Sequence, residues 1–170
     1  MNTAPLKPCD ILLYKGTQLT SRLIEWQTKS PYSHVALVVA PAMNLGIESN
    51  TGHQSGVRAF DLRKLDAAIV DIFRVKPAFT VNGEAVISFL VDHLGAPYDL
   101  KGVLWLGALK LFGLHAQANR FQKGKDYFCS ELVYEAFHCC GLDIVPQVPS
   151  SDITSPADIA LSDRLERVWV

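Results

Sequence analysis

Three side chains of this chain have the types and contexts for nucleophilic catalysis: a cysteine at a helix start, a histidine at the start of an apolar strand, and a glutamate on the next strand. The cysteine is Cys129, in Tyr127-Phe128-Cys129-Ser130-Glu131-Leu132-Val133. Upstream, residues 122–126 are polar and contain Gly124, which reads as loop. Downstream, apolar residues recur at Leu132, Val133, Ala136, Phe137 and Cys140, the spacing of a helix that ends before Gly141. A helix start presents unpaired N–H groups and the positive end of the helix dipole. Both favour thiolate over thiol, and the thiolate is the nucleophile. A packing role competes, because free cysteine is among the most buried residue types and Cys129 opens the same apolar stripe.

A cysteine nucleophile needs a base and a group that orients the base. The histidines are His34, His53, His93, His115 and His138. His34 is the best placed. It lies between Ser33 and Val35 at the start of the apolar run 33–39, where a polar side chain must find a partner. His93 falls late in an amphipathic helix and reads as a surface residue or a partner for the helix dipole. His53 sits in a glycine-bearing loop, His115 follows an apolar segment, and His138 is off the stripe of the Cys129 helix. Glu48, between Ile47 and Ser49, lies on the strand after the histidine strand. Neighbouring strands are about 4.8 Å apart, so its carboxylate can reach the imidazole, hold its tautomer and stabilise the imidazolium. A solvated glutamate on an edge strand is the competing reading.

The elements that must position these residues follow from periodicity and punctuation. Strands are expected at residues 11–14, 33–39, 46–49, 57–62, 68–75 and 165–170. Helices are expected over 18–29, from an Asn82 cap to about Leu94, over 100–121, from Cys129, and from Ser155-Pro156-Ala157-Asp158, where proline suits the first helical position. The 82–94 helix places Ala85, Val86, Phe89, Leu90 and Leu94 on one side. The sum is an α+β domain spanning 1–170: antiparallel strands first, then helices, with the cysteine helix beside the sheet.

Composition narrows the function classes. The chain has 170 residues, 49% hydrophobic and 19% charged, with a formal net charge of -1. This is a globular balance with no global pull toward nucleic acid or anionic membrane. Residues 1–8 lack the basic and apolar regions of a signal peptide. No apolar run reaches the roughly 20 residues of a membrane span. A cytoplasmic location is therefore expected, with Cys9, Cys129, Cys139 and Cys140 as thiols. His138-Cys139-Cys140 lacks zinc-ligand spacing, and no cofactor or metal is expected.

The sequence then shows a resemblance. Pro8-Cys9-Asp10-Ile11-Leu12, Ser33-His34-Val35-Ala36-Leu37, Ile47-Glu48-Ser49, Gly95-Ala96-Pro97-Tyr98-Asp99 and Phe128-Cys129-Ser130-Glu131-Leu132-Val133 occur in this order. Together they resemble the circularly permuted NlpC/P60 family, papain-like proteins similar to the YiiX and YebB group. In that group the order is histidine, acidic residue, cysteine, as in His34, Glu48 and Cys129. The resemblance implies a permuted papain-like fold, with Cys129 as nucleophile, His34 as base and Glu48 as orienting group. It implies a cysteine hydrolase of the amidase or peptidase type, forming an acyl-enzyme on a peptide or cell-wall fragment. One departure is Cys9 where the family often has glycine, which suggests a less demanding turn here. Related permuted proteins include lipid acyltransferases and thioesterases. The apolar segment 102–114 could line an acyl-chain pocket or associate with a membrane surface, with a buried core helix as its alternative. A binding module without turnover is the non-enzymatic alternative. Tyr98 and Asp99 are candidates to flank the site, and Tyr32 to shape its pocket.

Overall fold

Alternating and continuous apolar runs in the first half of the chain build an antiparallel sheet, to which the C-terminal strand is added. The computed structural model describes residues 5–16, 30–51, 54–103 and 126–168. Among them, β1 (Ile11–Lys15), β2 (Tyr32–Ala40), β3 (Leu45–Asn50), β4 (Gly56–Asp61), β5 (Val70–Val75) and β6 (Leu165–Val168) form one six-stranded sheet in the order β4-β3-β2-β1-β5-β6. Every neighbouring pair is antiparallel. Among the described residues, the helices with both ends placed include α1 (Gly83–Asp92), α2 (Cys129–His138) and the short α3 (Pro156–Ala160). The expected α+β class holds. The expected helix at 18–29, residues 104–121 of the expected helix at 100–121, most of the apolar segment 102–114, and His53 and His115 lie outside the described residues, while residues 100–103 are helical.

The sheet has two apolar faces. Ile11, Leu13, Val35, Leu37, Val39, Ile47, Val57 and Phe73 pack with Val86 and Leu90 of α1 and with Leu132, Val133, Ala136 and Phe137 of α2. Leu132, Val133, Ala136 and Phe137 are essentially fully buried. Each of the larger side chains contributes about 1.5–3 kcal/mol by leaving water. Leu12, Ala36, Val38, Val70 and Ile72 cluster with Leu62 as a second core.

Beyond shifts of one residue, three departures from expectation have a local reason. The 68–75 strand starts only at Val70, because Asp66 accepts the N–H groups of Ala68, Ile69 and Val70 and holds those residues in a turn. Leu62 leaves its strand for a 3-10 turn that Asp61 caps by accepting from the Arg63 N–H. Leu94 is 45% exposed rather than packed on the α1 stripe. Helix α1 stops at Asp92, and Gly95 turns the chain away at φ +84. The α3 prediction holds: Ser155 and Asp158 cap each other's backbone N–H groups, with Pro156 at the first helical position.

The turn before β1 corrects a further expectation. Cys9 adopts φ +66, a left-handed conformation that favours glycine, so the turn is as demanding as a glycine would suggest. Asp10 closes that turn by accepting from the Lys7 N–H at 2.7 Å. The Cys9 N–H donates to the Val38 carbonyl at 2.8 Å, which anchors the turn to β2.

Candidate active site

The Cys129 helix starts where it does because Glu131, at the third helical position, reaches back to accept from the Phe128 N–H at 3.4 Å. Ser130 anchors the first turn by donating to the Thr154 carbonyl at 2.7 Å. Gly141 ends the helix at φ +85, and the Leu142 N–H donates back to the Phe137 carbonyl. The segment entering the helix is tied to β3. Ser49 Oγ donates to the Tyr127 carbonyl at 2.5 Å. The Tyr127 N–H donates to the Pro97 carbonyl, and the Asp99 N–H donates to that of Tyr127. Loop 95–97 is held in turn by β4. The Val57 N–H donates to the Ala96 carbonyl, and the Gly95 N–H donates to the Val57 carbonyl. Gly56 must be glycine here: its φ is +116, and an added Cβ would stand 2.3 Å from the Ala96 carbonyl oxygen.

This scaffold brings the three residues singled out by sequence together. His34 Nε2 lies 2.7 Å from Glu48 Oε2. The His34 side chain also hydrogen-bonds to Cys129. With Nε2 committed to Glu48, Nδ1 is the ring nitrogen left for sulfur. The β2–β3 ladder runs from Ala40 only as far as the Leu37–Ile47 pair. Beyond it the Val35 N–H points at the Cys129 sulfur, as does the N–H of Ser130 at the helix start. Glu48 is not the solvated edge residue of the competing reading. Its strand is interior, and its side chain is 8% exposed.

The electrostatics follow from these contacts. Burial raises the Cys129 pKa, but the hydrogen bond and positive charge of His34, with the Val35 and Ser130 N–H groups, outweigh it and lower the pKa below the ordinary thiol value. Burial lowers the His34 pKa, but hydrogen bonds to Cys129 and Glu48 and their negative charges raise it to about 9. Burial raises the Glu48 pKa, while His34, Arg58 and Asn50 together bring it down to about 2. Cys9 behaves in the opposite way: burial first, then Cys140 and Asp10, push its thiol up to about 11.

These shifts have signs that stability can report. The raised His34 pKa contributes stability that is complete below its unfolded value near 6.5 and is lost as pH rises through about 9. The depressed Glu48 pKa contributes stability present above its unfolded value near 4.5 and lost as pH falls through about 2. Replacing Glu48 by glutamine removes the charge that holds His34 protonated. The melting-temperature gap between wild type and Glu48→Gln is therefore expected to narrow as pH rises from about 6 to about 9. A gap constant across that window would contradict the His34–Glu48 coupling.

The surroundings hold residues that the sequence did not single out. Arg58 donates to Glu48 Oε1 from Nε at 3.0 Å and from Nη2 at 2.9 Å, and Asn50 Nδ2 donates to the same oxygen at 3.1 Å. Tyr14 packs its ring on His34 at 5.3 Å between centroids. Its hydroxyl pKa is raised by burial and by the charge of Glu48. The alternation of residues 57–62 already implied a polar face carrying Arg58, but only the Glu48–Arg58 register pair identifies its partner. Tyr98 does flank the site, its hydroxyl pKa raised by burial and by the nearby Cys129 charge. Asp99 instead caps the turn starting at Leu100, accepting from the Gly102 N–H at 2.8 Å. Tyr32 does not shape the pocket: its hydroxyl donates to Asp71 at 2.6 Å, within the fold. His93 caps α1, stacked on Phe89 at 4.1 Å and half-buried.

No family model matches the chain, and no curated protein matches it. Among solved structures, that of the metalloprotein YiiX from Escherichia coli O157:H7 aligns over 98% of this chain and 100% of its own, with a TM-score of 0.69 and 17% identity. The chain has a YiiX-like fold. In this YiiX-like fold the described residues contain no group of three or more His, Cys, Asp and Glu side chains arranged to hold a metal ion. No helix among the described residues is long and apolar enough to cross a membrane.

Proposed function

We propose that the chain is a cysteine hydrolase of the amidase or peptidase type, with a permuted papain-like, NlpC/P60-related site. The observation that carries this reading is the His34 ring, bonded on one side to a buried, ionised Glu48 and on the other to Cys129. A buried cysteine serving only to pack would have a raised pKa, as Cys9 does. Cys129 has a lowered one. A thiolate–imidazolium pair of this kind is the resting form of an activated cysteine nucleophile.

The reaction runs as follows. The Cys129 thiolate attacks the amide carbonyl carbon, and the carbonyl electrons move to oxygen. The N–H of Cys129, at the first helical position, has no carbonyl four residues back within its helix and is suited to stabilise that oxyanion. The His34 imidazolium gives its proton to the leaving nitrogen, the C–N bond breaks, and a thioester on Cys129 remains. Neutral His34 then takes a proton from water as the water attacks the thioester. Collapse releases the carboxylic acid and returns the thiolate–imidazolium pair. Glu48 stabilises the imidazolium and fixes its ring without accepting its proton. Turnover needs His34 protonated for the leaving group, so it is expected to fall as pH rises through about 9.

The test is Cys129→Ala assayed on a peptide or cell-wall-fragment amide that the wild type cleaves. Turnover is expected to drop by at least about 1000-fold, with the fold retained, because alanine fits the first turn of α2 and Glu48 still partners His34. Retained amidase activity in a folded Cys129→Ala protein would refute the mechanism.

A further inference from the structure

We infer that Arg58 is a positioning residue: it locks the Glu48 carboxylate, and through it the His34 ring, in the orientation that keeps Cys129 reactive. This rests on the triad reading above and extends it to a fourth residue. The two oxygens of Glu48 have separate partners. Oε1 receives Arg58 Nε and Nη2 and Asn50 Nδ2, and Oε2 faces His34 Nε2. A carboxylate bonded only by the histidine could rotate about its terminal torsion, which is broad in glutamate. The guanidinium is planar and its donors are fixed relative to one another, so two N–H groups on one oxygen restrain that rotation. Arg58 is itself held. It lies directly opposite Glu48 in the β3–β4 register, and its Nη1 donates to the Gln54 carbonyl at 3.2 Å. The side chain is 30% exposed, against 8% for Glu48.

Charge alone predicts the opposite outcome to orientation, which makes the idea testable. Among the described residues, the groups facing the His34–Glu48 pair include Tyr14 from β1, Asn50 from β3, Arg58 from β4 and Cys129 from α2. Among these, Arg58 carries the fixed positive charge. Removing that charge would strengthen the attraction of Glu48 for the imidazolium and preserve the thiolate–imidazolium pair. Removing a positioning group would weaken the pair.

The experiment is a double-mutant cycle on the full chain, read by the iodoacetamide alkylation rate of Cys129 at about pH 6, with Cys139 in the same molecule as reference. Arg58→Ala is expected to slow Cys129 about tenfold in the wild-type background and less than about twofold in the Glu48→Gln background. Unchanged or faster alkylation, or equal slowing in both backgrounds, would overturn the positioning role. If Arg58→Ala does not fold, Arg58→Lys serves in the same cycle, because lysine keeps the charge and loses the fork. Failure of the triad itself has a different signature: wild-type Cys129 would then react no faster than Cys139.

Discussion

Replacing His34 by alanine is expected to slow iodoacetamide alkylation of Cys129 about 100-fold at about pH 6. The wild-type thiol pKa is lowered because the adjacent imidazolium and the Val35 and Ser130 N–H groups outweigh the effect of burial. Without the imidazolium, burial dominates and the pKa climbs to or above the ordinary thiol value. A thiol of pKa about 8.5 is only about 0.3% thiolate at pH 6. The Val35 and Ser130 N–H groups still face the sulfur in the variant, so reactivity falls steeply without vanishing. The Cys139 thiol, which is exposed, should label at the same rate in both proteins and separates a chemical effect from unfolding. Peptide mapping by mass spectrometry gives both rates. If Cys129 labels equally fast with and without His34, the imidazole does not activate it.

The largest effect on stability is expected at Arg74. Its Nε donates to Asp10 Oδ1 at 2.6 Å and its Nη2 to Oδ2 at 2.7 Å, and the Asp10 side chain is 1% exposed. Burial here makes the pair unlike a surface ion pair. Arg74→Ala leaves the carboxylate buried with the Lys7 N–H as its donor among the described residues, and breaking such a pair costs about 3 kcal/mol or more. For a chain of this length that corresponds to a fall in melting temperature of about 6–12 °C. Replacing both partners by apolar residues of similar volume should cost less, since no charge is then stranded. Thermal unfolding of Arg74→Ala within about 2 °C of wild type would show that the pair does not hold the turn. The turn matters for the site because it sets β1, and β1 carries Tyr14 against His34.

The sheet was legible because its strands are continuous or alternating apolar runs bounded by Pro31, Pro41, Gly16 and similar punctuation. Strand geometry places Glu48 and Ile47 on opposite faces, so a carboxylate on the histidine side follows once β2 and β3 are neighbours. The Asn82 and Ser155 caps were legible because their side chains act on N–H groups three residues away. Arg58 was not, because its role depends on the β3–β4 register, which no residue near Arg58 encodes. Cys9 misled for another reason: a left-handed residue without glycine carries no compositional mark, and its φ is set by the Cys9–Val38 and Asp10–Arg74 bonds. The Tyr32 reading failed because adjacency in sequence to His34 placed it on β2 without placing its hydroxyl, which Asp71 of β5 captures.

The thiolate–imidazolium pair is tested most directly by the pH dependence of Cys129 alkylation in the wild-type protein from about pH 5 to about pH 9, expressed relative to Cys139. If Cys129 is held as thiolate by His34, as proposed, its rate should be nearly flat while that of Cys139 climbs about tenfold per pH unit. Their ratio should be at least about 100 near pH 6 and shrink as pH rises. A Cys129 rate that rises in parallel with Cys139 across the whole range would contradict the thiolate–imidazolium pair and the function built on it.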